Sequence, residues 1–249
     1  GTIEIEDLET DIALHDLSGF EGRGAGIFLT KDRDFTPPNE GEALQKFRRA
    51  WHGYDEEPED AGAYDLVVVG GGMAGTCAAV RAARNGLKVA FIQDRPVVGG
   101  NNSSEVRVWL HGAKRGPRAR NLGNILAEFE QEERAHYGPE NKAHLYEDDK
   151  KLAVVGAEEN IRFFPSHRMN KVETKGSRIQ AVIAEQTETG KRLRFTGKLF
   201  ADCTGDGCVG HLAGADFEMT IEEGHMGRCN LWHAEDTKQP QTFPRCPWA

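Results

Sequence analysis

Residues 65–75 read DLVVVGGGMAG: an acidic residue, an apolar run, three glycines (Gly70, Gly71 and Gly72), then Met73, Ala74 and Gly75. The apolar run has the bulk of a strand buried on both faces. Residues 73–85, MAGTCAAVRAARN, place small and apolar side chains at helical spacing up to Gly86, where a helix stops. A strand therefore hands over to a helix across bare backbone. In that setting Gly70-x-Gly72-x-x-Gly75 is a dinucleotide fingerprint. Its first glycine permits the tight turn, its second lets backbone approach a pyrophosphate, and its third lets helix pack closely on strand. The helix start adds unpaired N–H groups and the positive end of a dipole. The bland alternative is a glycine-rich turn that serves packing alone.

LKVAFIQD (87–94) supplies the second strand. The fingerprint expects an acidic residue about 20 positions on, at that strand's end, to hold ribose hydroxyls. Gln93 occupies the slot and Asp94 follows it. Either can hydrogen-bond a ribose. Asp94 is the favoured charge with Gln93 as its neighbour, against a reading in which Asp94 only starts a turn before Pro96.

On both sides of this unit the pattern changes. TIEIEDL, DIALHDL and GAGIFLT in residues 1–35 read as short strands, too few to bury a core alone. They are expected to be the tail of a larger β-rich domain. Residues 36–63 read as a linker with a short helical patch, EALQKFRRAW, and residues 64–249 as the nucleotide-binding domain. Beyond the second strand come a polar loop, RPVVGGNNSSE, an amphipathic helix over 122–136 and a second helix near 143–156. Residues 160–203 then read as a β-meander with turns at Lys175-Gly176 and Thr189-Gly190. A nicotinamide-binding domain would continue with further β-α-β units, so the meander disfavours that class.

At this point the chain resembles a family. QDRPVVGGNNSSEVRVWLHGA, HRMNKVETKGSRIQAV and LFADCTGDGCVGHLAGADF are similar to the FAD-dependent oxidoreductases of the glutathione-reductase-type fold. The nearest resemblance is to a bacterial group carrying DRPxxGGNxSSExRVW. The resemblance implies an α/β, Rossmann-like FAD-binding domain with a parallel sheet and a β-meander, preceded here by the fragment of a β-rich, sandwich-like domain. It implies FAD contacts from Gly70, Gly72, Met73, Ala74, Gly75, Gln93, Asp94 and Arg95. A second tight loop, Gly99, Gly100, Asn101, Asn102 and Ser103, would line the pyrophosphate and ribityl chain. Arg168, Met169, Asn170 and Lys171 would place backbone beside the adenine. Gly205 and Asp206, within Thr204–Gly207, would let backbone pass close to the cofactor at a strand end, where an ordinary turn is the alternative. The N-terminal LSGFEGRGAGIFLTKDRDFTPPN is similar to the last strands of a sugar-binding-like sandwich, which implies a carbohydrate-derived substrate.

The expected activity is hydride transfer from a small molecule to flavin. The rival readings are a carbohydrate-binding protein with a secondary or vestigial nucleotide site, and an NAD-linked dehydrogenase. No catalytic residue is assigned. His111 and His225 are candidate acid–base groups, each as readily structural. Cys203 and Cys208 have a C-x4-C spacing, yet a flavin disulfide pair would follow the second strand, where Asn101, Asn102 and Ser103 stand. His225, Cys229 and His233 match no zinc spacing, and no metal is expected. The basic run AKRGPRARN (113–121) suits either an anion or a solvated loop. A net charge of −9 argues against a general nucleic-acid binder. No apolar run approaches the ~20 residues of a membrane helix. The domain is expected to be incomplete after Phe217, with closing strand and substrate domain missing. The compartment, cytoplasmic or periplasmic and secreted, stays open.

Overall fold

A computed structural model describes residues 29–54, 57–111 and 123–218. The chain divides into two units, residues 1–53 with 230–249, and residues 54–229. In the first unit, helix α1 (Gly41–His52) realises the expected EALQKFRRAW patch and ends at Gly53 in the left-handed region, φ 68°. Phe47 stacks on Trp51 one turn on, with ring centroids 6.3 Å apart. The three strands expected within 1–35 lie almost wholly outside the described residues. Residues 29–35 contain no strand.

The second unit is built on one six-stranded sheet. Its elements are β1 (Glu59–Val69), α2 (Met73–Arg84), β2 (Val89–Ile92), α3 (Asp148–Gly156), β3 (Ile161–Phe164), β4 (His167–Lys175), β5 (Arg178–Gln186), β6 (Arg192–Asp202) and the short α4 (Cys208–Leu212). The order across the sheet is β3-β2-β1-β6-β5-β4. β3, β2, β1 and β6 run parallel, and β6, β5 and β4 form an antiparallel meander. The fold is thus mixed α/β, with both the parallel sheet and the meander that the sequence implies.

Three boundaries differ from the sequence reading. β1 starts at Glu59, inside the expected linker, because its first half pairs with the outer half of β6 (Glu59 with Leu193, Tyr64 with Gly197). The strand IRFF is not part of the meander. It lies parallel beside β2, Val89 opposite Ile161 and Ile92 opposite Phe164, so a further parallel crossover does precede the antiparallel strands. The helix expected over 122–136 reduces, among the described residues, to one 3-10 turn at Leu126–Phe129, after which Glu130 is extended, φ −69° and ψ 134°. The chain leaves the helical path there and carries Gln131 into the interior. The second expected helix is present but broken. A 3-10 turn, Ala143–Tyr146, and α3 meet at Glu147, whose φ of 48° is left-handed.

Alternate residues of the central strands feed two cores, as a sheet covered on both faces requires. Val68, Val89 and Phe91 point toward α2 and α3, packing with Val80, Ala83, Phe129 and Val155. Val67, Val69, Ala90 and Ile92 pack on the other face with Met169, Val182 and Phe195. There the Phe164 and Phe195 rings meet edge to face at 4.7 Å. A three-way ion cluster closes the helical side. Arg84 at the end of α2 takes Glu128 with two nitrogens, at 2.7 and 2.8 Å, and Glu158 with a third, at 2.7 Å.

Candidate functional site

The C-terminal ends of the parallel strands open onto a cavity of about 520 Å³, where open α/β sheets place their ligands. The first glycine loop forms its floor. Gly70 has φ 102°, a region few L residues tolerate, and its N–H is held by the Ile92 carbonyl at 2.9 Å. Any Cβ there would strike the Cys203–Thr204 peptide at the end of β6, and a Cβ on Gly75 would strike the Gly70 carbonyl. Gly72 is different. Its φ is −63°, open to any residue, and no protein atom lies within 4 Å of where its Cβ would stand. Nothing in the protein itself requires glycine at 72, and the residue lines the cavity. The first helical bond of α2 runs from Thr76 N–H to the Gly72 carbonyl at 2.9 Å. The N–H groups of Met73, Ala74 and Gly75 therefore have no intrahelical acceptor.

A second loop leans on the first. Gly99 N–H donates to the Gly71 carbonyl at 2.7 Å, and a Cβ on Gly100 would stand 2.9 Å from Gly72 Cα. Gly99 and Gly100 have φ of 107° and 60°, so this contact depends on both being glycine. Of the residues expected here, Gly99, Gly100, Asn101 and Asn102 line the cavity. Asn102 and Ser103 nonetheless have their side chains committed to the protein. Asn102 is buried, donating to the Val108 carbonyl at 3.0 Å and accepting from Gln131 Nε2 at 2.7 Å. The Ser103 hydroxyl donates to the Gly100 carbonyl at 2.7 Å. These two side chains shape the loop.

The end of β2 separates the two ribose candidates. Gln93 is buried, its Oε1 accepting from Gly71 N–H at 2.8 Å and its Nε2 donating to the Val97 carbonyl at 3.0 Å. Its amide is used in holding the loop. Asp94 is exposed on the cavity wall. Beside it lie Arg95, paired with Glu105 at 3.3 Å, and the exposed Arg168 of β4.

Opposite, Gly205 (φ 89°) and Asp206 complete the wall after β6. The turn is held by Asp202, whose carboxylate accepts from Thr204 Oγ1 at 2.7 Å and Gly210 N–H at 2.9 Å. Burial would raise this carboxyl, but the donors from Gly210, Thr204 and Val209 outweigh it and hold it below the usual carboxylate range. Cys203 and Cys208 are both free thiols on the wall. Burial, with the nearby Asp202 charge, pushes the Cys203 thiol up, away from the reactive thiolate. His111 also reaches the wall. His225, Cys229, His233 and the basic run 113–121 lie outside the described residues. Among the described residues no cluster suits a metal ion, and no helix is long and apolar enough to cross a membrane.

All the expected cofactor contacts except Gly75, Ser103, Asn170 and Lys171 line this one cavity. Several residues that build it escape motif reading. The Thr76 hydroxyl lies within donating distance of both the Gly71 and Gly72 carbonyls, at 3.1 and 3.0 Å, and its one proton serves either. Gly71 is glycine because a Cβ would meet the Gln93 side chain at 2.7 Å. Trp109, nearly buried, stacks on Tyr146 at 4.4 Å between centroids. Thr76 could have been suspected as a hydroxyl one turn into a helix that has no side-chain N-cap. The Tyr146 contact spans too much sequence to carry a local signal. An open glycine at the helix start, unpaired N–H groups behind it and an acid at the next strand's end fit a dinucleotide.

A family model described as FAD dependent oxidoreductase matches residues 65–239. The soluble pyridine nucleotide transhydrogenase of Ectopseudomonas mendocina (strain ymp) is 58% identical over 38 residues, which is 15% of this chain and 8% of that one. Its counterpart in Marinobacter nauticus (strain ATCC 700491 / DSM 11845 / VT8) is 53% identical over 38 residues, with the same 15% and 8% coverage. The match thus covers only a small fraction of either relative's length. Among solved structures, L-proline dehydrogenase from P. horikoshii is similar with a TM-score of 0.36 at 22% identity, over 61% of this chain and 24% of that one. Mycobacterium smegmatis Sdh1 in complex with UQ1 gives 0.39 at 16% identity, over 57% and 33%.

Proposed function

The chain belongs to the FAD dependent oxidoreductase family, with FAD as its cofactor, and we propose that its second unit is the dinucleotide-holding part of an enzyme that takes a hydride from a small molecule. FAD, when bound, supplies the two-electron acceptor. The chain's own groups bind and orient it. The N–H groups of Met73 and Ala74 and the positive end of α2 receive the pyrophosphate, and Gly72 keeps the approach clear. Asp94 accepts from ribose hydroxyls, while the backbone at Arg168 borders the adenine. Gly99, Gly100 and Asn101 on one side, and Gly205 and Asp206 on the other, flank the rest of the cofactor.

The observation that carries this reading is the open position at Gly72, a glycine that neither backbone angle nor neighbouring protein atoms demand. The contact between the two glycine loops, Gly99 N–H to Gly71 at 2.7 Å, supports the finer assignment to the glutathione-reductase-type fold and to the group with the DRPxxGGNxSSExRVW signature. A carbohydrate-derived substrate is proposed on the N-terminal resemblance alone.

An absorption spectrum of the purified protein tests the proposal. The expected result is a yellow protein that releases FAD on denaturation. A colourless protein that oxidises NADH overturns it in favour of a nicotinamide enzyme. A colourless protein that binds only glycans overturns it in favour of a carbohydrate-binding one.

A further inference from the structure

We infer that Lys151 is a positioning residue for FAD, a buried cation that holds the second glycine loop in its receiving shape; the inference rests on reading the cavity as the FAD site. Lys151 lies on α3 with none of its surface exposed. A lysine is almost never wholly buried unless it is paired. Its Nζ donates to the Tyr146 carbonyl and pairs with Asp148 Oδ1 at 3.3 Å.

Both partners lead to the loop. Asp148 accepts the Ser104 N–H on its two oxygens at 3.1 and 3.2 Å, fixing the loop's far end. Tyr146 stacks on Trp109, which lines the cavity. The lysine stem runs under the near end, its Cδ 3.3 Å from the position a Gly99 Cβ would take. One side chain thus ties Gly99, Ser104 and Trp109 to a single helix. Burial pushes the ammonium's pKa down, while Asp148 and Glu147 favour the charge and Lys150 opposes it.

A methionine would fill the stem's volume. It would also leave the Tyr146 carbonyl without its donor and release Asp148 from the cation that orients it toward Ser104. The loop would then lose its anchor while the two hydrophobic cores stay intact.

The test titrates FAD, followed by quenching of flavin fluorescence, into wild type, Lys151→Met, Asp148→Asn and the double variant, with thermal melting of each cofactor-free protein. Each single variant is expected to bind FAD about tenfold or more weakly, the loss typical of a hydrogen bond to a charged group. The double variant should lose no more than the weaker-binding single, because the residues act as one unit. Wild-type affinity in Lys151→Met with only a lowered melting temperature would overturn the inference, as would additive losses. If Lys151→Met does not fold, Asp148→Asn decides: weakened binding supports the inference and unchanged binding overturns it. A wild type that binds no FAD refutes the underlying assignment of the cavity instead.

Discussion

The two glycine loops that meet at the cavity are made in different ways. In the first, Gly70 and Gly75 are dictated by backbone pressed on backbone, and every contact that fixes them comes from the adjoining strands and helix. In the second, the glycines permit the path but side chains from further along the chain maintain it, Gln131 on Asn102 and Asp148 on Ser104. The first loop's outer glycines follow from the sheet, and only Gly71 and Gly72 between them take side-chain bonds, from Gln93 and Thr76. The second loop's shape is an agreement among side chains, and each of them can be removed singly.

The largest expected effect is at Gly75. Gly75→Ala puts a methyl group into the Gly70 carbonyl, and backbone cannot move aside as a side chain can. A loss of about 2 kcal/mol or more is expected, together with loss of bound flavin, read by melting temperature and by flavin content. Gly72→Ala should divide those two readouts. It meets no protein atom and replaces glycine by alanine at an ordinary φ, so stability should hold or rise slightly. FAD affinity should fall about tenfold, on the scale of one lost hydrogen bond to a charged group. Equal FAD affinity in Gly72→Ala and wild type would show that the cofactor does not approach there.

In the second loop, Asn102→Ala leaves Gln131 buried without its partner and should cost about 1–3 kcal/mol. The double variant Asn102→Ala/Gln131→Ala should cost less than the sum, measured by denaturant unfolding. The smallest effect is remote from both loops. The Arg84 guanidinium holds the Glu128 carboxyl below its usual range. A carboxyl depressed by folding adds stability above its unfolded value, which is lost as pH falls through the folded value. Glu128→Gln should therefore flatten the acid limb of stability below about pH 4.5. With both side chains about a third exposed, at 33% and 38%, the effect at neutral pH should stay within about 1 kcal/mol.

The same contrast decides what could be read in advance. The strand DLVVVG, the helix after it and the glycine spacing are local patterns, and β1, α2 and the loop between them follow from those patterns. Gln93 and Asp94 were both legible as ribose candidates. Which one turns inward depends on a bond from Gln93 to Gly71 across 22 residues, and no spacing rule encodes that choice. The amphipathic pattern in LGNILAEFEQEERAH is real in the turn Leu126–Phe129, where Phe129 is buried. Tertiary demand then wins, since Gln131 is needed beside Asn102 and a continuing helix could not deliver it. Likewise IRFF carries the composition of any strand. Only pairing with β2 makes it parallel and separates it from the meander that follows.

One further consequence lies in β6. Its outer half closes the meander, its inner half is the fourth parallel strand, and its end supplies the Cys203–Thr204 backbone against which Gly70 is set. The loop thus waits for a strand synthesised well after it before its own shape is final. Local helices and hairpins form fast and distant strand pairings form slowly. Capture of the cofactor should accordingly follow the pairing of β1 with β6 and not seed it.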